Sequence, residues 1–186
     1  MPKKIDENKV FETVISDWVK NGYSGSTTRE IAKLAGINEA TLFRRYGNKA
    51  QLFAKAIDQQ LADTPLSNIQ ISGDINQDLM GLAEAYIATF EIHGDVVFKT
   101  IQEVPKLPEI KDAVVNLLNN IQNMLKLIAL HQQKGQLKKE HPMITLTSFI
   151  GPIATYLMFR ESKLSDDVPQ FNVNEYVSLF LSGRGV

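Results

Sequence analysis

The stretch from Ser26 to Lys49, STTREIAKLAGINEATLFRRYGNK, constrains the fold more than any other because it holds two helix starts and one helix stop. Thr27 and Glu30 have the spacing of a capping box, in which a hydroxyl and a carboxylate satisfy free backbone N–H groups. Gly36 ends the helix that follows, since glycine tolerates the left-handed backbone of a tight turn. The apolar residues of that helix recur on one side, at Ile31, Leu34 and Ala35.

A second short helix begins after Asn38, a favourable N-cap residue. Leu42 and Tyr46 lie four residues apart on one side, whereas small residues lie near the start and two arginines near the end. This pattern suits a helix whose first residues meet base edges and whose cations meet phosphates. We therefore predict a helix-turn-helix that enters the major groove of DNA; the alternative is an ordinary helical hairpin.

Composition limits the class of protein. The 186 residues are 44% hydrophobic and contain no cysteine, which excludes disulfides and fits a cytoplasmic protein. Residues 1–60 carry ten basic and seven acidic side chains, or +3, and residues 61–186 carry ten and fourteen, or −4. The positive excess therefore lies in the segment assigned to DNA. The N-terminus has no apolar signal core, and we expect no membrane span of about 20 apolar residues.

Helical periodicity runs through the whole chain, and no strand pattern competes with it. Helix one covers about 6–21, ends at Gly22 and buries Trp18; helix four starts after Asn48. A break at 64–74 precedes helices at about 75–93, 95–104, 109–134, 142–162 and 174–182. The predicted fold is all-α, with about nine helices.

The last two predicted helices need a partner. The segment 142–162 is apolar nearly all round, and 174–182 has apolar residues on two faces. A helix that is apolar on every side must be buried on every side. A homodimer through these two helices is the simplest arrangement, and a core formed within one chain is the alternative. We expect Pro152 to kink its helix.

Catalytic and metal sites are not predicted. The three histidines, His93, His131 and His141, have no metal-ligand spacing, and neither a glycine-rich phosphate loop nor a nucleophile elbow is present. We expect no enzymatic activity and no cofactor.

The pattern T-T-R-E-I-A-x-x-A-G-I-x-x-x-T-L-F-R-x-Y-x-N-K resembles the signature of the TetR/AcrR transcriptional regulators, most densely over residues 10–61. The resemblance implies a three-helix DNA-binding domain at 1–48 and a helical effector-binding and dimerisation domain at 49–186, with helix 49–63 as connector. It also implies a homodimeric regulator, a repressor, that binds a palindromic operator and is released by a small molecule. Two alternatives stay open. One is an activator with the same DNA-binding domain, or head, and the other is a ligand-binding or scaffold protein whose head no longer binds DNA.

Base contacts are expected near the start of the recognition helix. Ala40 and Thr41 suit a thymine methyl group, Glu39 a cytosine amino group or a helix cap, and Arg44 a guanine or a phosphate. Where this chain has Phe43 the family often has tyrosine, so the phosphate contact of that hydroxyl is lost. The predicted DNA-binding residues are Thr28, Asn38, Glu39, Ala40, Thr41, Phe43, Arg44, Arg45, Tyr46 and Lys49.

The resemblance places an effector cavity among the later helices. Core packing is the alternative role for each candidate lining residue. Their apolar and aromatic character favours a hydrophobic or aromatic effector. The candidates are Tyr86, Phe90, His93, Phe98, Gln102, Met124 and Tyr156.

Overall fold

The computed structural model describes residues 5–162 and 167–184, and within those ranges the chain forms eight α-helices and no strand. The all-α prediction is confirmed. Short 3₁₀ segments occupy Pro65–Asn68, Val104–Lys106 and Pro108–Val114. The α-helices are α1 (Glu7–Gly25), α2 (Thr28–Ala35), α3 (Glu39–Tyr46), α4 (Lys49–Ala62), α5 (Ile75–Glu103), α6 (Val115–Gln133), α7 (Pro142–Ser162) and α8 (Val173–Arg184).

Two compact units divide the chain. The first comprises Met1–Asp63 with His93–Leu118, and the second comprises Thr64–Ile92 with Asn119–Val186. Helices α1 to α4 lie in the first unit and α7 and α8 in the second, while α5 and α6 contribute residues to both. The boundary predicted between residues 48 and 49 follows the motif rather than the packing, and it stays a prediction.

The core of the first unit forms around α1. Trp18 is 0% exposed, as predicted, and it packs with apolar side chains from α2, α3 and α4 and from the end of α5. Phe11 stacks on Tyr46 of α3 with ring centroids 5.6 Å apart. One buried cluster therefore fixes the positions of both short helices of the helix-turn-helix.

The second unit has its own core, built from residues of α5, α6, α7 and α8. Phe149 packs edge-to-face on Phe180 of α8, with ring centroids 4.9 Å apart, and the Tyr176 hydroxyl donates to the Phe149 carbonyl oxygen. Other buried residues of this core are Leu79, Leu82, Met124, Leu127, Ile128, Ile153, Leu157 and Val177.

Two sequence predictions about helix boundaries need correction. The segments 75–93 and 95–104 form the single helix α5, because Gly94 stays helical and is followed by the buried side chains of Val96 and Thr100. The predicted helix from residue 109 becomes a 3₁₀ segment up to Val114, and α6 starts only at Val115. The helix count is therefore eight rather than nine in the described ranges.

By length and composition alone α7 could cross a membrane, since an 18-residue window of it has a mean hydropathy of 1.4, whereas the sequence predicted no such segment. Within the second unit, however, α7 is a packed helix. Its buried Thr145 hydroxyl accepts a hydrogen bond from Gln132 at 3.0 Å and donates one to Glu140 at 2.6 Å. The helix continues through Pro152.

Candidate nucleic-acid interface

The first short helix begins and ends at the predicted residues, but only the Thr27 half of the capping box is present, and the Glu30 carboxylate instead lies 3.7 Å from Lys33. The Thr27 hydroxyl accepts a hydrogen bond from the Glu30 N–H at 3.2 Å, which caps α2. Gly36 adopts φ 71° and ψ 32°, and the Ile37 N–H returns to the Ala32 carbonyl oxygen at 2.9 Å. The left-handed glycine therefore closes α2 and turns the chain toward α3. Leu34, predicted to face the core with Ile31 and Ala35, is instead 54% exposed, because Ile31, Ala32 and Ala35 form the narrow buried face.

The second short helix separates a buried face from a solvent face. The Asn38 amide oxygen accepts from the Ala40 N–H at 2.8 Å, so Asn38 is the predicted N-cap. Leu42 and Tyr46 are buried, which anchors α3 to the core of the first unit. The exposed residues of α3 are Ala40, Phe43, Arg44 and Arg45.

Arg44 and Phe43 are the long side chains that α3 offers to a partner. Arg44 is exposed and makes no ion pair or hydrogen bond within the described residues. Phe43 is 44% exposed. An unpaired guanidinium beside an exposed aromatic ring is suited to base edges or phosphates, because it has five N–H donors available.

Glu39 and Thr28 join the starts of the two short helices. The Thr28 hydroxyl donates to the Glu39 carboxylate at 2.6 Å, across eleven residues of sequence. Both side chains are half-buried. The sequence predicted each as a separate DNA contact and gave no indication of this bond.

Arg45 and Tyr46 share one partner on α1. Arg45 pairs with the Glu7 carboxylate at 3.3 Å, and the Tyr46 hydroxyl donates to the same carboxylate at 3.0 Å. Hydrogen bonds from Arg45 and Tyr46 lower the pKa of Glu7, while burial and the bond to Glu7 raise the pKa of Tyr46 to about 12. In the free chain, Arg45 is therefore tied to α1, and its predicted phosphate contact requires exchange of partners.

Lys49, the first residue of α4, is also held within the head. Its ammonium group donates to the Tyr23 carbonyl oxygen and lies 4.2 Å from the centroid of the Tyr23 ring. Burial lowers the pKa of Lys49, against the opposing effects of Asp17 and Glu109. The N-cap of α4 is the predicted residue, since the Asn48 side chain accepts a hydrogen bond from the Gln51 N–H at 2.8 Å. The predicted phosphate contact of Lys49 stays a prediction and requires the side chain to leave Tyr23.

A carboxylate at the end of α5 binds α1 on both sides of its kink, and the sequence did not predict this contact. Gly22 has φ 70° and ψ 170° and interrupts the helix. The Glu103 carboxylate accepts from the Tyr23 N–H at 3.0 Å and from the Trp18 indole N–H at 2.8 Å. Burial raises the pKa of Glu103, but these bonds and the Lys99 ammonium outweigh it and leave the pKa below its usual value.

The predicted effector-site residues fall in both units. His93, Phe98 and Gln102 belong to the first unit, where Gln60 bonds to His93 at 3.1 Å and Gln102 is exposed. Tyr86, Phe90, Met124 and Tyr156 belong to the second. Met124 is buried in its core, and Tyr156 lines an open groove with Phe171 and Leu179. Their role in ligand binding stays a prediction.

A buried histidine and aspartate form a hydrogen-bonded pair in the second unit. His131 is buried and bonds to the Asp78 carboxylate at 2.8 Å and to Gln136 at 2.7 Å. Asp78 also accepts from the N–H groups of Ser72 and Gly73. Within residues 5–162 and 167–184, no group of three or more acidic or histidine side chains is arranged to hold a metal.

The helix-turn-helix geometry agrees with comparisons to known proteins. The family profile described as "Bacterial regulatory proteins, tetR family" matches residues 18–56. The uncharacterized HTH-type transcriptional regulator YvkB of Bacillus subtilis (strain 168) is 24% identical over 180 residues, or 94% of this chain and 95% of YvkB. Residues 18–56 therefore carry the helix-turn-helix segment of the TetR family. The protein is a transcriptional regulator and not an enzyme.

A second curated regulator and a solved structure are also similar to this chain. The HTH-type transcriptional repressor SCO4008 of Streptomyces coelicolor (strain ATCC BAA-471 / A3(2) / M145) is 29% identical over 59 residues, which cover 32% of this chain and 31% of SCO4008. The fold also matches that of AibR, solved in complex with isovaleryl coenzyme A and operator DNA. The TM-score is 0.64, the identity is 14%, and the match covers 95% of this chain and 96% of AibR.

Proposed function

We propose that this regulator is a repressor that binds a palindromic operator as a homodimer and is released by a small hydrophobic effector. The observation that carries the proposal is the division of α3, with Leu42 and Tyr46 buried and Arg44 and Phe43 exposed. A short helix anchored on one face and offering a free guanidinium on the other is suited to the major groove.

The DNA contacts divide into two kinds. Glu39, Ala40, Thr41 and Arg44 read base edges, and Phe43 packs against apolar groups of the bases or sugars. The N-terminus of α2 at Thr28 and that of α4 at Lys49 hold phosphates, because free N–H groups and the helix dipole attract anions. Arg45 exchanges Glu7 for a phosphate. Asn38 caps α3, and Tyr46 packs beneath it.

Dimerisation through α7 and α8 is supported by their exposed apolar side chains. On α7 these include Met158 and Phe159, and on α8 Leu179 is 65% exposed. Burying such residues against the same helices of a second copy removes them from water. Two heads related by a two-fold axis then read two half-sites on one face of the DNA, separated by one helical turn of about 34 Å or by a multiple of it.

Release by an effector is supported by the resemblance to TetR-type regulators and by AibR, which was solved with both isovaleryl coenzyme A and operator DNA. An effector lowers operator affinity only if it binds the released conformation better than the DNA-bound one. Half-buried aromatic residues in the second unit, among them Tyr86 and Phe90, favour a hydrophobic or aromatic ligand. The proposed site of action is the bacterial cytoplasm, where operator DNA lies.

Repression is proposed over activation because SCO4008, which matches over 59 residues, is named a repressor. A degenerate head that no longer binds DNA is disfavoured by the free Arg44. A functional head and a degenerate head predict different results, since only the functional head binds a specific DNA sequence.

Selection of bound duplexes from a random pool tests the proposal. We expect a two-fold symmetric motif whose affinity falls steeply between about 50 and 200 mM salt, as phosphate neutralisation requires. The Arg44→Ala variant should fold and dimerise but lose preference at one position of each half-site. Absence of any enriched motif, or binding by a monomer to an asymmetric site, would contradict the proposal.

A further inference from the structure

We propose that Thr28 determines specificity by holding the Glu39 carboxylate so that its second oxygen accepts a hydrogen bond from a cytosine amino group. The inference rests on the proposed function and deepens it, because it names the base that one half-site position requires and assigns Thr28 as a positioning residue. Its basis is the bond between the starts of α2 and α3.

The geometry of that bond is that of a strong, charge-assisted interaction. The oxygens of Thr28 and Glu39 lie 2.6 Å apart, within the range of a hydroxyl donating to a carboxylate. Glu39 makes no other hydrogen bond or ion pair within the described residues. One carboxylate oxygen is therefore bound to Thr28, and the other is available for a base at the start of the recognition helix.

The single hydroxyl proton of Thr28 distinguishes this role from that of a phosphate clamp. A threonine hydroxyl donates one hydrogen bond, and in the free chain Glu39 receives it. A phosphate at the N-terminus of α2 is then held by backbone N–H groups rather than by the side chain. The two roles predict different results, because phosphate contacts weaken all sequences alike whereas base contacts change the preference.

The chemistry of a fixed carboxylate selects cytosine. An ionised carboxylate only accepts hydrogen bonds, and the major-groove edge of cytosine offers only the N4 amino donor. Guanine presents two acceptors and thymine one, which repel the carboxylate, and adenine places its N7 acceptor beside its amino group. The surrounding phosphates add to the cost of an unsatisfied negative charge, so Glu39 acts against the other three bases as well as for cytosine.

Holding Glu39 in place before DNA arrives contributes to the discrimination. A free glutamate loses rotamer freedom when it is ordered, and the bond to Thr28 has already imposed that loss in the unbound chain. Without Thr28, the carboxylate can turn away from an unsuitable base into solvent. The penalty for that base then falls, and the preference for cytosine falls with it.

The experiment compares competition binding of Thr28→Val, Thr28→Ser and Glu39→Gln with the wild type, on the selected operator and on three variants of its Glu39-dependent position. Thr28→Val should reduce discrimination for cytosine about tenfold, and Thr28→Ser should keep it. Glu39→Gln should lose the requirement for cytosine, because its amide also donates. Thr13→Val is the matched control, since it removes a hydroxyl whose one bond among the described residues is to the Lys9 carbonyl oxygen on α1.

Circular dichroism and thermal unfolding establish that each variant is folded. If Thr28→Val weakens all four operators equally and keeps the cytosine preference, Thr28 is a phosphate contact and the inference is overturned. The same follows if no operator position depends on Glu39. A wild-type chain that selects no operator at all refutes the proposed function itself, and that outcome is distinct from a wild type that selects an operator on which Thr28 has no influence.

Discussion

The indole nitrogen of Trp18 donates a hydrogen bond to the carboxylate of Glu103 at 2.8 Å, across 85 residues of sequence. Trp18 lies in the middle of α1 and is fully buried, and Glu103 is the last residue of α5. The same carboxylate receives the Tyr23 N–H just after the Gly22 kink. One side chain therefore satisfies two polar hydrogens of α1 that would otherwise be buried without a partner.

Replacing Glu103 with alanine should destabilise the protein by about 1–3 kcal/mol, because the Trp18 indole N–H and the Tyr23 N–H lose their acceptor. Urea unfolding followed by tryptophan fluorescence measures the change and reports on Trp18 directly, since it is the only tryptophan. The control is Glu12→Ala, which removes an exposed carboxylate from α1 and should change stability by less than about 0.5 kcal/mol. Equal effects of the two variants would contradict the assignment.

Two glycines should respond in opposite directions to alanine. Gly36 has φ 71°, where an alanine side chain is strained, so Gly36→Ala should cost about 1 kcal/mol or more. Gly81 is helical, and a Cβ added there meets nothing within 4 Å, so Gly81→Ala should stabilise α5 by about 0.5–1 kcal/mol. Thermal unfolding measures both. An unchanged or higher midpoint for Gly36→Ala would show that the turn at Gly36 can relax, and a lower midpoint for Gly81→Ala would contradict the second expectation.

Lys49→Ala should weaken binding to all duplexes by a similar factor and reduce the salt slope of log K by about 0.9, the value for one phosphate contact. The control is Lys20→Ala, an exposed lysine on α1 with no ion pair among the described residues. Titrations at several salt concentrations separate the two variants. An unchanged slope would mean that Lys49 stays on the Tyr23 carbonyl oxygen when DNA binds.

Stability should fall in acid through Asp78. Burial raises the pKa of Asp78, but bonds from Ser72, His131 and Gly73 outweigh it, and the pKa lies below the usual 3.8. Because the folded pKa is the lower one, its contribution is complete above the unfolded pKa and is lost as the pH falls from about 4 through the folded value. Urea unfolding at a series of pH values should show a weaker acid dependence for Asp78→Asn than for the wild type.

Leu179→Glu or Phe159→Glu should convert the protein to a monomer, because each places a charge in the proposed interface of α7 and α8. Sedimentation equilibrium measures the mass. Leu34→Glu is the control, since Leu34 is similarly exposed but lies in the first unit. A wild-type chain that sediments as a monomer would refute dimerisation, and a dimer that survives both substitutions would place the contact elsewhere.

Local features of the head were predictable from the sequence because they depend on neighbouring residues. The caps at Thr27, Asn38 and Asn48 and the left-handed turn at Gly36 each act within four positions of the chain. Propensity did not predict the continuity of α5 through Gly94, since tertiary packing outweighs the cost of one helical glycine.

Contacts between distant residues could not be predicted in the same way. The sequence identified Trp18 as core, but nothing in it paired the indole with a carboxylate 85 residues away. Lys49 and Arg45 were recognised as cations near DNA, whereas their partners in the free chain, the Tyr23 carbonyl oxygen and the Glu7 carboxylate, depend on how α1 packs. The directions of these two side chains therefore could not be predicted from the sequence and are known only from the structure.

The bond between Thr28 and Glu39 has a consequence for how such regulators diverge. If operator preference depends on two positions eleven residues apart, the recognition helix alone does not encode it. A descendant in which another base-contacting residue replaces Glu39 still has Thr28, which is suited to positioning a glutamate. A substitution in α2 is then needed before the new base preference becomes as strong as the old one. Paired substitutions at these two sites, rather than independent ones, should mark the branches on which a new regulon was acquired.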